Sequence, residues 1–211
     1  MIRCDSHIPV APRTIYAYCI ADASIDTDFS GTTSVLATIR GKTLSVANVG
    51  DSRIILGRLD ADGKLKAVEV SDDHKPDRPD EQKRIEAKGG RVFAVEYEDG
   101  VDGPPRVWLG NMDIPGLAMA RSLGDVVAHS AGVISTPEHH QVELTSADKI
   151  CVMGSDGLWE FMSNQEVIDM VVSSGMKDPS DAVDMLAEES AARWMREEEV
   201  IDDTTIIVAY M

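Results

Sequence analysis

Apolar and polar positions change period several times along the chain, and each change marks an element. Ser34 to Ile39 and Thr43 to Val49 are apolar runs with partial alternation, and Gly41-Lys42 between them predicts a hairpin. Arg53 to Leu59 and Lys64 to Val70 flank Asp60-Ala61-Asp62-Gly63, a second hairpin signal. Pro79 to Lys88 reads as a short helix, with proline in the first turn, acids Asp80 and Glu81 early, and Gly89-Gly90 as the stop. Arg91 to Tyr97 resumes a strand, and Glu98 to Pro105 reads as a surface loop. Gln141 to Leu144 and Lys149 to Met153 predict paired strands around Ser146-Ala147-Asp148, and His139-His140 an exposed turn. Ser163-Asn164-Gln165-Glu166 is a capping box, opening a helix that turns Val167, Ile168, Val171 and Val172 to a core. Asp178-Pro179 starts a longer helix with Val183, Leu186, Ala187, Ser190 and Trp194 on one stripe, and Thr204 to Tyr210 is a closing strand. The stretch around Pro9 and Pro12 reads as loop. Strands grouped in hairpins, with helices segregated between them, predict an α+β fold of antiparallel sheets.

Composition changes this picture little. The 211 residues fit one domain, large enough to fold without disulfides or a structural metal. Cys4, Cys19 and Cys151 have neither paired nor metal-ligand spacing, which predicts bystander thiols and a reducing cytoplasmic or nuclear setting. Charge matters more. Twenty Lys and Arg against thirty-seven Asp and Glu leave −17, with no dense basic run, which argues against nucleic-acid and anionic-membrane partners. No apolar stretch approaches the ~20 residues of a membrane span, and Met1 to Asp5 have no signal-peptide architecture. The chain is read as a monomer.

The candidate chemistry lies at strand ends. Asp51 stands in Val49-Gly50-Asp51-Ser52-Arg53, Asp156 in Gly154-Ser155-Asp156-Gly157, and Asp202 just before Thr204-Thr205-Ile206-Ile207-Val208. Each alone is ordinary turn chemistry. Carboxylates brought by several strand ends to one rim instead suit a hard cation such as Mg²⁺ or Mn²⁺. Asp156 is the strongest candidate, because Ile150-Cys151-Val152-Met153 reads as a strand buried on both faces and glycines flank the acid where backbone must come close.

Further blocks extend the pattern: Ser30-Gly31-Thr32-Thr33; Ala47 to Arg53; Asp73-His74-Lys75-Pro76 followed by Glu81, Arg84-Ile85 and Gly89-Gly90; Gly116 to Asp125; Ser155-Asp156-Gly157-Leu158-Trp159-Glu160; and Asp202-Asp203-Thr204-Thr205. In these blocks and their order the chain resembles the metal-dependent Ser/Thr protein phosphatases of the protein phosphatase 2C (PPM) type. The resemblance implies two packed antiparallel sheets flanked by helices. It also implies hydrolysis of phosphoserine and phosphothreonine in phosphoproteins by metal-activated water. Asp156 and Asp202 match two ligands of one metal in a binuclear Mg²⁺/Mn²⁺ centre, and Asp51 matches a ligand of a third, weaker site shared with the Asp156 equivalent. Ser30 to Thr33 and Ala118 to Asp125 match structural blocks. Residues 91–109 match a variable flap-like segment that affects substrate choice, where Trp108 packs or touches substrate. Cys151 is no nucleophile candidate, since the chemistry needs no phospho-enzyme.

The family also carries an earlier block with an Asp-Gly-His-Gly-Gly core, which supplies the bridging carboxylate and the second metal's ligands. It is not found before Ser30, and none of His7, His74, His129, His139 or His140 stands in its context. The expectation is therefore the later, larger part of a phosphatase domain over residues 1–211, catalytically incomplete by itself and most simply a truncation. Asp203 stands where the family usually has Asn. Two alternatives are a pseudophosphatase-like binding module and an acidic Ca²⁺ scaffold; the latter lacks any EF-hand or acidic repeat loop.

Overall fold

Hairpin turns and prolines set most of the element boundaries in the computed structural model, which describes residues 10–25, 27–97 and 100–211. Helix α1 (Val10–Ala23) comes first. Strands β1 (Gly31–Thr32), β2 (Ser34–Arg40), β3 (Thr43–Val49), β4 (Arg53–Leu59) and β5 (Leu65–Glu69) follow, and then helix α2 (Pro79–Ala87). Next come β6 (Arg91–Tyr97), β7 (Gly100–Trp108), β8 (Pro115–Leu117), β9 (Leu123–Gly124), helix α3 (Val126–Ser130) and β10 (Glu138–Glu143). The chain closes through β11 (Asp148–Gly154), α4 (Asp156–Trp159), α5 (Asn164–Ser173), α6 (Pro179–Glu197) and β12 (Ile206–Tyr210). The strands form sheets ordered β1-β9, β10-β3-β2, β12-β11-β4-β5 and β6-β7-β8. The pairings β1-β9, β11-β12, β11-β4, β4-β5, β6-β7 and β7-β8 are antiparallel, so the α+β expectation holds.

Three local readings need correction. The segment expected as loop around Pro12 is helix α1; a first-turn proline is tolerated because its missing N–H would have no intrahelical partner. Tyr18 anchors that helix: it is buried, and its hydroxyl lies 2.8 Å from Ser34 Oγ. Gly100 to Pro105, expected as loop, belongs to β7. The register passes from Phe93↔Arg106 to Val95↔Asp102, so Gly103, Pro104 and Pro105 sit in a bulge that needs no ladder N–H from the prolines. Glu98 and Asp99, like Cys4 and His7, lie outside the described residues. Lastly, β10 and β11 are not partners. Both edges of β11 are taken, by β4 and β12, so β10 joins β3 instead, and the half-buried His139 and His140 lie in that strand and not in a turn.

By contact density the residues group into two compact units. The first comprises the described residues within Met1–Leu36, Ala47–Asp51 and Asp73–His139, the second Ala37–Val46, Ser52–Asp72 and His140–Met211. In the first, Ile85, Val107, Ala120, Ala128, Ala131 and Val133 form one core, and Tyr18, Ala47, Val49 and Leu123 another. The two blocks read as structural pair there directly, Gly31↔Gly124 and Thr32↔Leu123. In the second, Ile55, Ile150, Val152, Leu158, Trp159, Ile168 and Leu186 centre the core, with Val167 and Val171 from α5. The capping box at Ser163 is present, with Ser163 N–H donating to Glu166 Oε2 at 2.9 Å. Val172, expected in the core, is exposed.

Candidate functional site

Asp156 and Asp202 sit at the ends of neighbouring strands. β11 and β12 pair from Ile150↔Tyr210 to Gly154↔Ile206, so the chain leaves β11 at Ser155 where it enters β12. Two hydrogen bonds tie the junction. Ser155 N–H donates to Thr205 O at 3.1 Å, and Thr205 N–H donates to Ser155 Oγ at 3.0 Å. Gly157 must be glycine: a Cβ there would lie 2.5 Å from Thr204 Oγ1 and 2.7 Å from Asp203 O. Helix α6 secures the same turn, because Ser190 Oγ and Trp194 Nε1 both donate to Gly157 O, at 2.7 Å each. Within this frame Asp156 opens helix α4 and accepts from Gly157 N–H at 3.0 Å, while Asp202 accepts from Asp203 N–H at 2.8 Å. Both residues are half-buried, and Asp203 is exposed.

Asp51 belongs to the first unit and has different surroundings. It is 2% exposed, and Lys75 Nζ lies 2.8 Å from its Oδ2. The preceding Gly50 adopts φ +95°, where a side chain would be strained and would strike Thr33. His74 clamps the turn: its N–H donates to Gly50 O at 3.1 Å, and its Nδ1 lies 3.0 Å from Gly50 N. Gly50 N–H needs an acceptor, and Gly50 O already receives His74 N–H and Asn48 Nδ2. The neutral imidazole is therefore protonated at Nε2, which faces Glu138 Oε2 at 3.3 Å.

Behind His74 lies an ionic network that the sequence reading did not assign. Glu81 is fully buried on α2 and accepts from Arg121 Nη2 at 2.6 Å, Arg84 Nη1 at 2.7 Å and Arg78 Nη2 at 3.1 Å. Arg78 also donates to Glu138, at 2.6 Å from Nη2 to Oε1 and 3.0 Å from Nη1 to Oε2. Burial pushes the Glu81 carboxyl up, but hydrogen bonds and charge from Arg121 and Arg84 outweigh it and hold the group below its usual range. Burial likewise raises Glu138, yet the Arg78 hydrogen bond and nearby positive charge bring it down to about 2. Burial and the charge of Arg121 lower His74 to about 4, so the ring is neutral near pH 7. The available signal is spacing: Arg78, the residue before α2, and Arg84, within it, stand three residues either side of Glu81.

Among the described residues, Asp80, Glu81 and Glu138 are the one set of three or more acids, His or Cys whose ligand atoms come within 4.8 Å of one another. That set is a poor metal cage. Arg78, Arg84 and Arg121 already occupy its oxygens, and a divalent cation would have to share them with guanidinium groups. Asp156 and Asp202 suit the chemistry better: hard oxygen donors, half-exposed, on turns fixed by backbone bonds.

The other candidates settle quickly. Cys151 is buried, and burial pushes its thiol up to about 11, which leaves no thiolate for nucleophilic attack. Trp108 stacks on Phe93 with centroids 5.2 Å apart and donates Nε1–H to Phe93 O at 2.9 Å, so it packs the β6–β7 hairpin. No helix among the described residues is long and apolar enough to cross a membrane.

The chain belongs to the protein phosphatase 2C family, whose profile matches residues 16–198. It is 43% identical over 185 residues to probable protein phosphatase 2C 72 of Arabidopsis thaliana, covering 87% of this chain and 55% of that one. It is also 43% identical over 171 residues to probable protein phosphatase 2C 12 of Oryza sativa subsp. japonica, covering 81% and 43%. The chain thus spans about half the length of these curated relatives. Among solved structures, a serine-threonine phosphatase 2C from Toxoplasma gondii superposes with a TM-score of 0.76 at 22% identity, covering 95% of this chain and 63% of that one. A C. elegans sex determining protein gives 0.75 at 19% identity, covering 99% and 48%. These two likenesses speak for the fold.

Proposed function

We propose that this chain forms part of a Mg²⁺- or Mn²⁺-dependent protein serine/threonine phosphatase, in which Asp156 and Asp202 hold a catalytic divalent cation. One observation carries the reading: the β11 exit and the β12 entry are bonded to each other through Ser155 and Thr205, which keeps both carboxylates on adjoining turns. When bound, the cation supplies Lewis acidity for the attack of water on a phosphate monoester. The chain's own residues orient its ligands. Gly157 lets the turn close against Thr204, and Ser190 and Trp194 hold the Gly157 carbonyl at the start of α4. Asp51 is a subsidiary carboxylate. Residues 91–109 form a flap-like segment that influences which phosphoprotein is accepted.

The test uses the full-length protein and a phosphothreonine peptide. Phosphate release is expected only with Mn²⁺ or Mg²⁺, and Asp156→Asn is expected to abolish it together with Mn²⁺ binding seen by electron paramagnetic resonance. Metal-independent release, or release unchanged in Asp156→Asn, refutes the assignment.

A second reading is favoured by the ligand count: no set of three metal-binding side chains among the described residues includes Asp156 or Asp202. A non-catalytic, pseudophosphatase-like module would show no turnover and would keep its protein partner in Asp156→Asn.

A further inference from the structure

Helix α4, which Asp156 opens, is one turn long and contains a glycine, so its own hydrogen bonds are too few to hold it in place. Its position depends on anchors from outside. At its start, Gly157 O accepts from Ser190 Oγ and Trp194 Nε1. At its end, the buried Trp159 is gripped twice. The indole Nε1–H donates to Gly154 O at 2.8 Å, which fixes the edge of the ring. The guanidinium carbon of Arg53 lies over the ring face, 5.2 Å from the centroid. The pairing Gly154↔Arg53 between β11 and β4 sets the arginine directly across from the residue whose carbonyl takes the indole. Arg53 is itself pinned, because its Nη1 donates to Oδ1 of Asn164, the first residue of α5, at 2.7 Å. A cation on an aromatic face is held more strongly away from open water, and here the ring is buried and the arginine half-buried.

We infer that Arg53 is a positioning residue: by clamping Trp159 it fixes the far end of α4, and through that single turn it sets the direction of Asp156 at the near end. The inference rests on the reading of Asp156 as a cation ligand given above. Anchored at Gly157 O alone, one helical turn keeps the freedom to tilt, and the second anchor at Trp159 removes it. The charge of Arg53 matters as well as its bulk. A neutral side chain of similar length would fill the space but lose both the attraction to the ring face and the bond to Asn164.

Two measurements on the full-length protein test this together: amide hydrogen exchange without metal, and Mn²⁺ binding followed by electron paramagnetic resonance. Arg53→Met is expected to speed exchange at the Leu158 and Glu160 amides, which donate to Ser155 O and Asp156 O. It is also expected to weaken Mn²⁺ binding about tenfold, the equivalent of one partly desolvated cation–ring contact. Arg53→Lys, which keeps a cation over the ring, is expected to stay within about threefold of wild type. Arg58→Met is the control for lost stability alone. Arg58 pairs with the buried Asp148 at 2.6 Å, at the opposite end of the same two strands, so its loss should lower Tm and leave α4 exchange and Mn²⁺ affinity unchanged. Should Arg53→Met fail to fold, as judged by circular dichroism, Asn164→Ala, which unpins the guanidinium, takes its place. Wild-type exchange in the neutral variant overturns the proposal, as does wild-type Mn²⁺ affinity, or an equal loss in Arg58→Met or Arg53→Lys. Failure of the metal assignment looks different: Asp156→Asn would leave Mn²⁺ binding intact, while exchange at Leu158 and Glu160 still decides whether Arg53 holds α4.

Discussion

Replacing Glu81 by Gln tests the largest electrostatic claim made for this fold. Glu81 has no exposed surface and sits among Arg78, Arg84 and Arg121, whose side chains are 19%, 23% and 10% exposed. Its Oε1 accepts from Arg121 and Arg78 and its Oε2 from Arg84 and Arg121, so both oxygens face donors. Gln keeps the shape but turns one oxygen into an NH₂ group, which must then point at a guanidinium. It also removes the negative charge that offsets the arginines. Breaking one member of a buried ion pair costs about 3–5 kcal/mol. For a chain of this size, about 2–4 °C per kcal/mol converts that to a Tm lower by about 6–20 °C. Thermal unfolding followed by circular dichroism at pH 7 reads it. Asp113→Asn is the matched control, since the Arg91–Asp113 pair is 39% and 79% exposed and an exposed pair contributes about 0–1 kcal/mol. A Glu81→Gln shift no larger than that of Asp113→Asn would refute the argument that these arginines depend on Glu81.

Acid should weaken the fold in two windows. His74 is lowered to about 4 from 6.5, so between those values the unfolded chain takes up a proton that the folded chain refuses, and stability falls as pH drops from 6.5 towards 4. Glu138, at about 2 against 4.5, extends the loss from pH 4.5 downward. Urea unfolding at pH 7, 5.5 and 4.5 should show a shallower pH slope over the upper window in His74→Gln than in wild type; equal slopes count against a buried neutral imidazole. Gly157→Ala is expected to destabilise by about 1–3 kcal/mol, because its Cβ would overlap Thr204 and Asp203, and to weaken Mn²⁺ binding with it. Wild-type stability and Mn²⁺ affinity in that variant would dismiss the tight junction. Cys151 should resist thiol reagents at pH 8 in the native protein and react once unfolded, whereas Cys19 should react at once; mass mapping of the labelled peptides distinguishes them.

Legibility followed the range of the interactions involved. The β2–β3 and β4–β5 hairpins, the capped start of α5 and the proline-led α2 and α6 were readable because their causes are local: a glycine with positive φ at 41 and 63, a Ser163–Glu166 box, a proline in a first turn. Helix α1 and the bulged start of β7 are not legible locally because proline reports what a backbone cannot donate, and both segments place it where no donor is needed. The partners of β10 and β11 are not legible locally because strand pairing is a competition among all strands, and adjacency in sequence is only one factor.

The sequence by itself determined the family, the α+β class and the identity of the strand-end aspartates, since each rests on residue types at fixed local spacings. Only the tertiary structure decided what each carboxylate faces. It set the Asp156 and Asp202 turns against each other through Ser155 and Thr205, gave Asp51 to Lys75, and built the Glu81–arginine–Glu138–His74 network behind it. Charge partners are chosen by proximity across elements distant in the chain, and desolvation multiplies their strength. Neither quantity is written in the spacing of residues.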